Sequence, residues 1–186
     1  MHARTLAPIL AATFAASLIT AGQAYATPAA AEAPAIAARV VTYDAGASAE
    51  FKAAVDRGAA IWNESVDSVE LRPVAAGQRA NIRILADNGW PRALTTSLGN
   101  GTVYIGRQAV TQGYNTVRIS AHELGHILGL PDRKPGPCSS LMSGSSAGVS
   151  CTNPYPDAAE KAEVEDNFAS AAASRAGVPR QAALVD

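Results

Sequence analysis

The chain has 186 residues, of which 48% are hydrophobic and 17% are charged, and its formal net charge is -1. This length suits one domain with a hydrophobic core and is too short for us to expect two. A net charge so close to zero gives no reason to expect nucleic acid as a partner, and the charged residues form no long block of one sign.

The first 26 residues have the pattern of a secretory signal peptide. His2 and Arg4 precede an apolar run at residues 6–19, and residues 24–26 (Ala-Tyr-Ala) form a small-x-small cleavage site. The run is too short for a permanent membrane anchor, and no other segment is apolar enough to span a bilayer. We therefore expect a secreted, extracellular protein with no membrane partner after removal of residues 1–26.

The rest of the chain divides by composition. Residues 27–38 are rich in alanine, contain two prolines and have no hydrophobic periodicity, which is typical of a pro-segment or linker. We expect the folded domain to cover residues 39–175 and residues 176–186 to be a flexible tail. Nothing in the sequence indicates an obligate oligomer, so a monomer is the expectation.

The predicted domain begins with a strand and a helix. Residues 39–43 are rich in β-branched side chains and predict the strand. Apolar residues then recur at helical spacing up to about residue 65, with Ser48 as the candidate cap. These positions are Phe51, Ala54, Val55, Ala59, Ile61 and Trp62.

Strands and turns alternate in the middle of the chain. Residues 69–74 and 80–86 alternate apolar and polar side chains, and Pro73 marks the end of the first strand or an edge of the sheet. Residues 102–106 predict a third strand. An exposed edge of this sheet is a candidate surface for pairing with an extended substrate, although the sequence does not indicate which edge. Turn sequences occupy residues 87–91 and 99–101.

Residues 122–132 read HELGHILGLPD and carry the chemistry. His122 and His126 are four residues apart, so on a helix they share one face, roughly 6 Å apart along the axis. Imidazole nitrogens suit zinc, and Glu123 is placed to reach a metal-bound water as a general base. The pattern therefore predicts a zinc peptidase site.

The motif has the boundaries of a helix. Asn115 and Thr116 offer an N-cap, and Gly129 is a suitable stop because glycine accepts the left-handed conformation without a Cβ clash. Pro131 prevents the helix from continuing. The positions expected to be buried are Val117, Ala121, Leu124 and Leu128.

A catalytic zinc site needs three protein ligands and one open position. The chain has three histidines, and one of them, His2, lies in the predicted signal peptide. The third ligand is then expected to be a carboxylate or, less favoured, a thiolate. Asp132 qualifies if the chain turns back after the helix, and Glu160 and Glu163 qualify if a later helix supplies the ligand. We favour Asp132 because the glycine and proline after the second motif histidine place a tight reversal there.

Cys138 and Cys151 lie in a segment that we predict to be loop-rich, residues 135–154. An even number of cysteines in a secreted chain favours a disulfide, which would contribute about 3 kcal/mol. Free thiols as zinc ligands are the alternative, but the spacing matches no zinc-binding cysteine motif. Residues 157–160 then form a capping box that begins a last helix, to about residue 173. Its expected buried positions are Ala162, Val164, Phe168 and Ala172.

The motif and the residues after it resemble a known family. His-x-x-Gly-x-x-Asp, from His126 to Asp132, has the metzincin pattern with aspartate in the last ligand position, and residues 140–144 around Met142 resemble its methionine turn. With Cys138 before that turn and Cys151 after it, the segment resembles the snapalysin family of small secreted bacterial neutral zinc proteases. The similarity covers about residues 122–160.

The resemblance implies an α+β fold: a compact metzincin (zincin-like) domain with a twisted mixed sheet, a long helix, a zinc-binding helix and a C-terminal helix. It implies one catalytic Zn²⁺ and endopeptidase activity on protein or peptide substrates, with a preference for an aromatic residue after the scissile bond. Met142 would form a hydrophobic floor below the ligands, with no part in bond-making.

Two positions depart from the family pattern. Members carry a tyrosine, a stabiliser of the oxyanion, two positions after the aspartate, where this chain has Lys134. A family Ca²⁺ would lie near an aspartate before the zinc helix, where this chain has Asn115, so we expect calcium binding to be weaker or absent. Lys134 and Tyr155 are candidate oxyanion donors, and ordinary surface or packing roles are the competing interpretation.

We hypothesise that His122, His126 and Asp132 bind Zn²⁺. Glu123 would take a proton from the zinc-bound water as it attacks a peptide carbonyl, and would then pass this proton to the leaving amine. Two alternatives remain at this point: a secreted zinc-binding protein without turnover, and a metalloenzyme that acts on a non-peptide amide.

Overall fold

The structure, a computed structural model, describes residues 37–175, which belong to one compact unit. The predicted signal peptide, the tail at residues 176–186 and the predicted linker up to residue 36 lie outside the described residues. Within residues 37–175, no helix combines the length and apolar character needed to cross a membrane.

Five strands form one mixed sheet. They are β1 (Arg39–Ala47), β2 (Val69–Pro73), β3 (Ile82–Asp87), β4 (Arg92–Ser97) and β5 (Asn100–Gly106). Their order is β2-β1-β3-β5-β4, and all neighbours are parallel except β4, which pairs antiparallel with β5. The edges of the sheet are therefore β2 and β4, and Pro73 lies at the end of an edge strand, where its missing N–H is tolerated.

Four helices accompany the sheet: α1 (Lys52–Asn63), α2 (Arg107–Thr111), α3 (Thr116–Ile127) and α4 (Ala158–Arg175). Helices α1 and α3 pack against each other, with α1 on β1 and β2 and α3 on β4 and β5. The core between these layers is apolar and includes Val41, Ile82, Ile84, Val103, Ile105, Trp62, Leu124 and Ile127. The predicted α+β class with a mixed sheet is confirmed.

Three predicted details are wrong. Ser48 does not cap α1 through its side chain: its hydroxyl donates to the Ala45 carbonyl at 2.7 Å, and a 3₁₀ turn at Ala49–Phe51 separates it from the helix. Ala162 is exposed on α4, and Val117 is only half-buried on α3. The predicted burial of Val164 and Phe168 is confirmed, and Glu160 of the capping box is fully buried on the same helix.

Two elements had no clear signal in the sequence. Strand β4 is exposed along most of its length, so it lacks the alternation of polar and apolar residues that identifies a strand. Helix α2 has five residues, too few to display a helical period. Both elements help to form the cleft described below.

Helices α1 and α3 approach so closely at Gly58 that no side chain fits between them. A Cβ atom on Gly58 would lie 2.9 Å from the backbone nitrogen of Ala121 and 3.1 Å from the Ser120 carbonyl carbon. On the same side of α1, the Trp62 indole Nε1 donates to the Ala121 carbonyl at 2.8 Å. The two helices are thus joined by backbone contact and by a buried hydrogen bond.

Replacing Gly58 with alanine should lower the free energy of unfolding by about 1–3 kcal/mol, because the added methyl group forces the helices apart. Urea unfolding followed by circular dichroism measures this change. Helix propensity alone predicts the opposite sign, a gain of up to about 1 kcal/mol. A more stable Gly58→Ala protein would therefore contradict the close packing of α1 and α3.

Candidate metal centre

Helix α3 holds both motif histidines, and its ends are those expected. The Asn115 side chain accepts a hydrogen bond from the Arg118 backbone N–H at 2.9 Å, which makes Asn115 the N-cap. The helix ends at Ile127, with Gly129 just beyond at φ 97°, a conformation that favours glycine. The predicted cap and stop are confirmed.

Backbone carbonyls orient both imidazole rings. His122 Nδ1 lies 3.0 Å from the Leu141 carbonyl oxygen, and His126 Nδ1 lies 2.8 Å from that of Leu130. A carbonyl only accepts, so each Nδ1 carries the proton and each Nε2 keeps a free lone pair. The two Nε2 atoms point to a common position, 3.2 Å apart.

Asp132 completes the group. Its Oδ1 lies 3.3 Å from His122 Nε2 and 3.6 Å from His126 Nε2. Ligand atoms about 2.0–2.1 Å from a tetrahedral zinc ion are about 3.3 Å from one another, so these spacings fit such an ion. Within residues 37–175, this is the one group of three histidine, cysteine or acidic side chains that converge closely enough to hold a metal.

The protonation states of this group also suit a cation. Burial lowers the pKa of His122, and the adjacent His126 ring lowers it further, so the ring is neutral and free to donate a lone pair. Burial alone would raise the pKa of Asp132, but the hydrogen bond and charge of Lys134 and the nearby imidazoles outweigh it. The pKa of Asp132 is therefore lowered, and its carboxylate is ionised at neutral pH.

Glu123 lies beside this group, and both its burial and its hydrogen bonding are unusual. Its side chain lines the cleft but is 4% exposed, and its Oε2 has no hydrogen-bond partner among residues 37–175. Burial, and after it the charge of Asp132, raise the pKa of Glu123 to about 8. A cation held by the neighbouring group would lower this pKa and favour the ionised carboxylate that a general base requires. An unpaired buried carboxylate oxygen is costly for folding, and such groups are found where they serve function.

Two buried charged residues hold the segment of residues 140–143 in place. Glu160 accepts from the backbone N–H groups of Leu141 and Met142 at 3.0 and 2.8 Å, and from the Ser140 hydroxyl at 2.6 Å. From the other side, the Arg118 guanidinium donates to the carbonyls of Ser140 and Leu141 and to the Ser143 hydroxyl. We call this arrangement the Arg118–Glu160 clamp.

The clamp is connected to the converging group through one residue, Leu141. The Leu141 N–H is held by Glu160, and its carbonyl oxygen accepts from His122 and from Arg118. The next residue, Met142, is fully buried beneath α3, where a Cβ on Gly125 would lie 2.8 Å from its sulfur. Met142 thus packs against α3 at Gly125, one residue before His126.

A disulfide joins Cys138 and Cys151, with their Cα atoms 5.5 Å apart. Within residues 37–175 no cysteine is free. The Arg118 guanidinium also donates to the Cys138 carbonyl at 3.5 Å and to the Asn153 carbonyl, so one residue of the clamp also binds the segments next to the disulfide. The disulfide excludes thiolate ligation of a metal by the two cysteines.

The other candidate ligands lie elsewhere. Both Glu160 oxygens are used in the clamp and in the capping box, where Asp157 and Glu160 bond each other's backbone N–H groups at 2.8 Å. Glu163 forms an ion pair with Arg133. Neither glutamate belongs to the converging group, so an arrangement with a ligand from α4 is not present.

The two candidate oxyanion donors are also separated. Lys134 lines the cleft, and its Nζ donates to Asp132 Oδ2 at 3.0 Å. Tyr155 is not among the residues that line the cleft: its hydroxyl accepts from Arg57 and donates to Glu64 Oε2 at 3.0 Å. The interpretation of Tyr155 as a donor at the site is therefore wrong, and it is a surface residue.

The converging group opens into a cleft of about 740 Å³. One wall is β4, at the edge of the sheet, and Thr95 on this strand donates to the His126 carbonyl at 3.3 Å. The end near the start of α3 is aromatic, since Trp90 and Tyr114 pack edge to face with centroids 5.8 Å apart. We had not predicted roles for Trp90, Tyr114 or Arg118, and only the turn at residues 87–91 drew attention to this region.

A converging triad of two imidazoles and a carboxylate, next to a buried glutamate in a cleft at a sheet edge, is the construction of a metalloendopeptidase. The chain belongs to the Streptomyces extracellular neutral proteinase (M7) family, whose model matches residues 38–171. The family predicted from the motif is thereby confirmed.

Several relatives are each named an extracellular small neutral protease. The chain is 41% identical over 150 residues to that of Streptomyces coelicolor, covering 79% of this chain and 67% of the relative. It is 44% identical over 126 residues to that of Streptomyces caespitosus, covering 67% of this chain and 92% of the relative. The match to that of Streptomyces sp. (strain C5), 41% over 133 residues, covers 72% of this chain but only 58% of the relative.

Replacing Glu160 with glutamine should lower the free energy of unfolding by roughly 2–3 kcal/mol at pH 7, because buried donors lose a charged acceptor. The matched variant Glu163→Gln, on the same helix but in a half-exposed ion pair, should cost less than about 1 kcal/mol. Urea unfolding of both variants measures the difference, and equal losses would contradict the clamp.

The loss of stability in Glu160→Gln should also depend on pH. Burial raises the pKa of Glu160, but its hydrogen bonds with Ser140 and three backbone N–H groups outweigh burial and lower it below the ordinary 4.5. Glu160 therefore stabilises the fold above that pH, and this contribution is lost as the pH falls through the folded-state pKa. The stability difference between wild type and Glu160→Gln should shrink on acidification, and a constant difference would contradict this.

Proposed function

We propose that this protein is a secreted, zinc-dependent endopeptidase that hydrolyses peptide bonds of extracellular proteins. His122, His126 and Asp132 hold the zinc ion, and Glu123 is the general base. The observation that carries the proposal is the convergence of three ligand atoms within 3.2–3.6 Å, next to a buried carboxylate oxygen that has no partner among the described residues.

The donor set favours zinc over harder cations. Two neutral imidazoles and one carboxylate suit zinc, whereas magnesium and calcium prefer oxygen ligands throughout. A bound zinc ion supplies a Lewis acid that polarises a peptide carbonyl and lowers the pKa of water. For calcium the support is lacking, because the Asn115 side-chain oxygen is already used as the cap of α3.

The chain's own residues then have distinct tasks. Glu123 takes a proton from the attacking water at its unpaired Oε2 and delivers this proton to the nitrogen of the leaving amine. The carbonyls of Leu141 and Leu130 hold the two imidazole rings in place while this happens. Burial of Glu123 keeps bulk water from competing for its oxygen.

The cleft favours an extended peptide as substrate. Arg92, Ala93 and Thr95 of β4 line it, and the outer side of β4 is an edge of the sheet. A peptide segment in extended conformation pairs with such an edge through main-chain hydrogen bonds, whatever its side chains. Of the two edges that the sheet has, β4 is therefore the one we assign to substrate.

The remaining features agree with an exported enzyme. We propose that residues 1–26 direct secretion, that residues 27–38 link them to the catalytic domain, and that the domain acts as a monomer. The relatives' names describe extracellular proteases, which supports this assignment.

Replacing Glu123 with glutamine should leave zinc binding intact and lower casein hydrolysis by about 100-fold or more, since glutamine cannot accept the proton. Zinc content by atomic absorption and a casein-clearing assay, with and without chelator, measure the two effects. Chelator should abolish wild-type clearing, and added zinc should restore it.

A zinc-loaded wild type that clears no casein would instead favour a zinc-binding protein without turnover. Activity on small amides but not on casein would favour a non-peptide amide as substrate. Full activity of Glu123→Gln would contradict the role of Glu123 as the base.

Replacing Asp132 with alanine should weaken zinc binding by at least about tenfold, because one of three protein ligands is lost. The control is Glu163→Ala, which removes a carboxylate of the other candidate route and should leave zinc affinity unchanged. Titration with a competing chelator gives both dissociation constants. Weaker zinc binding in the Glu163 variant alone would reverse the ligand assignment.

A further inference from the structure

The two oxygens of Asp132 face different partners. Oδ1 lies toward the two histidine nitrogens, at 3.3 and 3.6 Å, whereas Oδ2 accepts a hydrogen bond from Lys134 Nζ at 3.0 Å. One oxygen of the carboxylate thus faces the proposed metal position, and the other is bound to an ammonium group.

The contact of Lys134 with Oδ2 affects the number of ligand atoms that Asp132 would give to a metal. A carboxylate binds a cation through one oxygen or through both. A catalytic zinc site keeps one position open beside three protein ligand atoms. If both Asp132 oxygens bound, the carboxylate would occupy two positions, and the space for water and substrate would shrink.

Lys134 is held close to this carboxylate by its surroundings. A Cβ on Gly144 would lie 2.7 Å from Lys134 Cε and 3.2 Å from its Nζ, so the lysine side chain lies directly against the Gly144 backbone. The same Cβ would lie 3.1 Å from His122 Cε1, which places the ammonium group beside a proposed ligand ring. Gly144 has φ 53°, and its lack of a side chain leaves the room that Lys134 occupies.

The backbone on either side of Lys134 is anchored as well. The Arg133 N–H donates to the Met142 carbonyl at 2.9 Å, and the Gly136 N–H donates to the Ser146 hydroxyl at 3.1 Å. The first bond joins the segment that carries Asp132 and Lys134 to the segment that the Arg118–Glu160 clamp holds, and the second joins it to the residues that follow that segment. These backbone hydrogen bonds therefore fix the position of Lys134 relative to Asp132.

We propose that Lys134 is a positioning residue that restricts Asp132 to binding zinc through Oδ1 alone. By occupying Oδ2, the ammonium group keeps the second oxygen off the metal and preserves an open position for water and substrate. This inference rests on the proposed zinc site, and it assigns to Lys134 a task distinct from direct contact with the reacting carbonyl.

The test compares zinc-loaded wild type with Lys134→Met, which removes the ammonium group and keeps a long side chain. X-ray absorption at the zinc edge counts the ligand atoms. Lys134→Met should gain one oxygen ligand, and its kcat should fall on the order of tenfold. Its zinc affinity should not fall, because the freed oxygen adds a ligand and a repelling positive charge is gone.

Two further variants complete the experiment. Lys134→Arg keeps a cationic donor for Oδ2 and should restore the wild-type ligand count and most of the kcat. Lys52→Met removes the lysine of a comparable exposed pair, Lys52 with Asp56 at 2.6 Å on α1, and should behave as wild type in both measurements.

The outcomes distinguish a failure of the positioning role of Lys134 from a failure of the proposed zinc site. An unchanged ligand count in Lys134→Met overturns the positioning role, and so does a loss of zinc affinity without a gained oxygen, which would mark Lys134 as merely structural. Failure of the wild type to bind zinc overturns the proposed function and this inference with it.

Discussion

The buried side chains of Arg118 and Glu160 bind one short loop, residues 140–143, from its two sides. The geometry of the candidate centre depends on these hydrogen bonds. The guanidinium donates to backbone carbonyls and the carboxylate accepts from backbone N–H groups, so these buried polar groups of the loop have hydrogen-bond partners. The Leu141 carbonyl is then fixed in the place where it orients His122. A helix with the same motif but without this loop would hold its first histidine in no defined direction.

The rest of the fold serves to place α3 against that loop. Close contact at Gly58 and the bond from Trp62 set the height of α3 relative to α1. On the opposite side, β4 is tied to the end of α3 through Thr95, which brings the sheet edge alongside the cleft. The ion pair of Lys134 with Asp132 holds one oxygen of the half-exposed carboxylate that completes the converging group.

How much the sequence predicts depends on the range of each interaction. The Asn115 cap, the stop at Gly129 and the capping box at residues 157–160 bring together neighbours in the chain, so local patterns identified them. The histidine spacing is local too. Arg118 and Glu160 also bind the loop of residues 140–143, which lies 18 to 25 positions away, and nothing in their own neighbourhood indicates which carbonyl or N–H of that loop they bind. Strand β4 could not be predicted from alternating polar and apolar residues because its side chains are mostly exposed.

Glu160 belongs both to the first turn of the last helix and to the clamp on the loop that orients His122, so one side chain links the end of the domain to the candidate centre. A chain made from its amino terminus has the whole sheet and the histidine helix before Glu160 exists. The loop that orients His122 lacks its carboxylate partner until the final helix begins to form. A chain that ended before the last helix would lack this partner, so the orientation of His122 depends on residues from the carboxyl-terminal part of the domain.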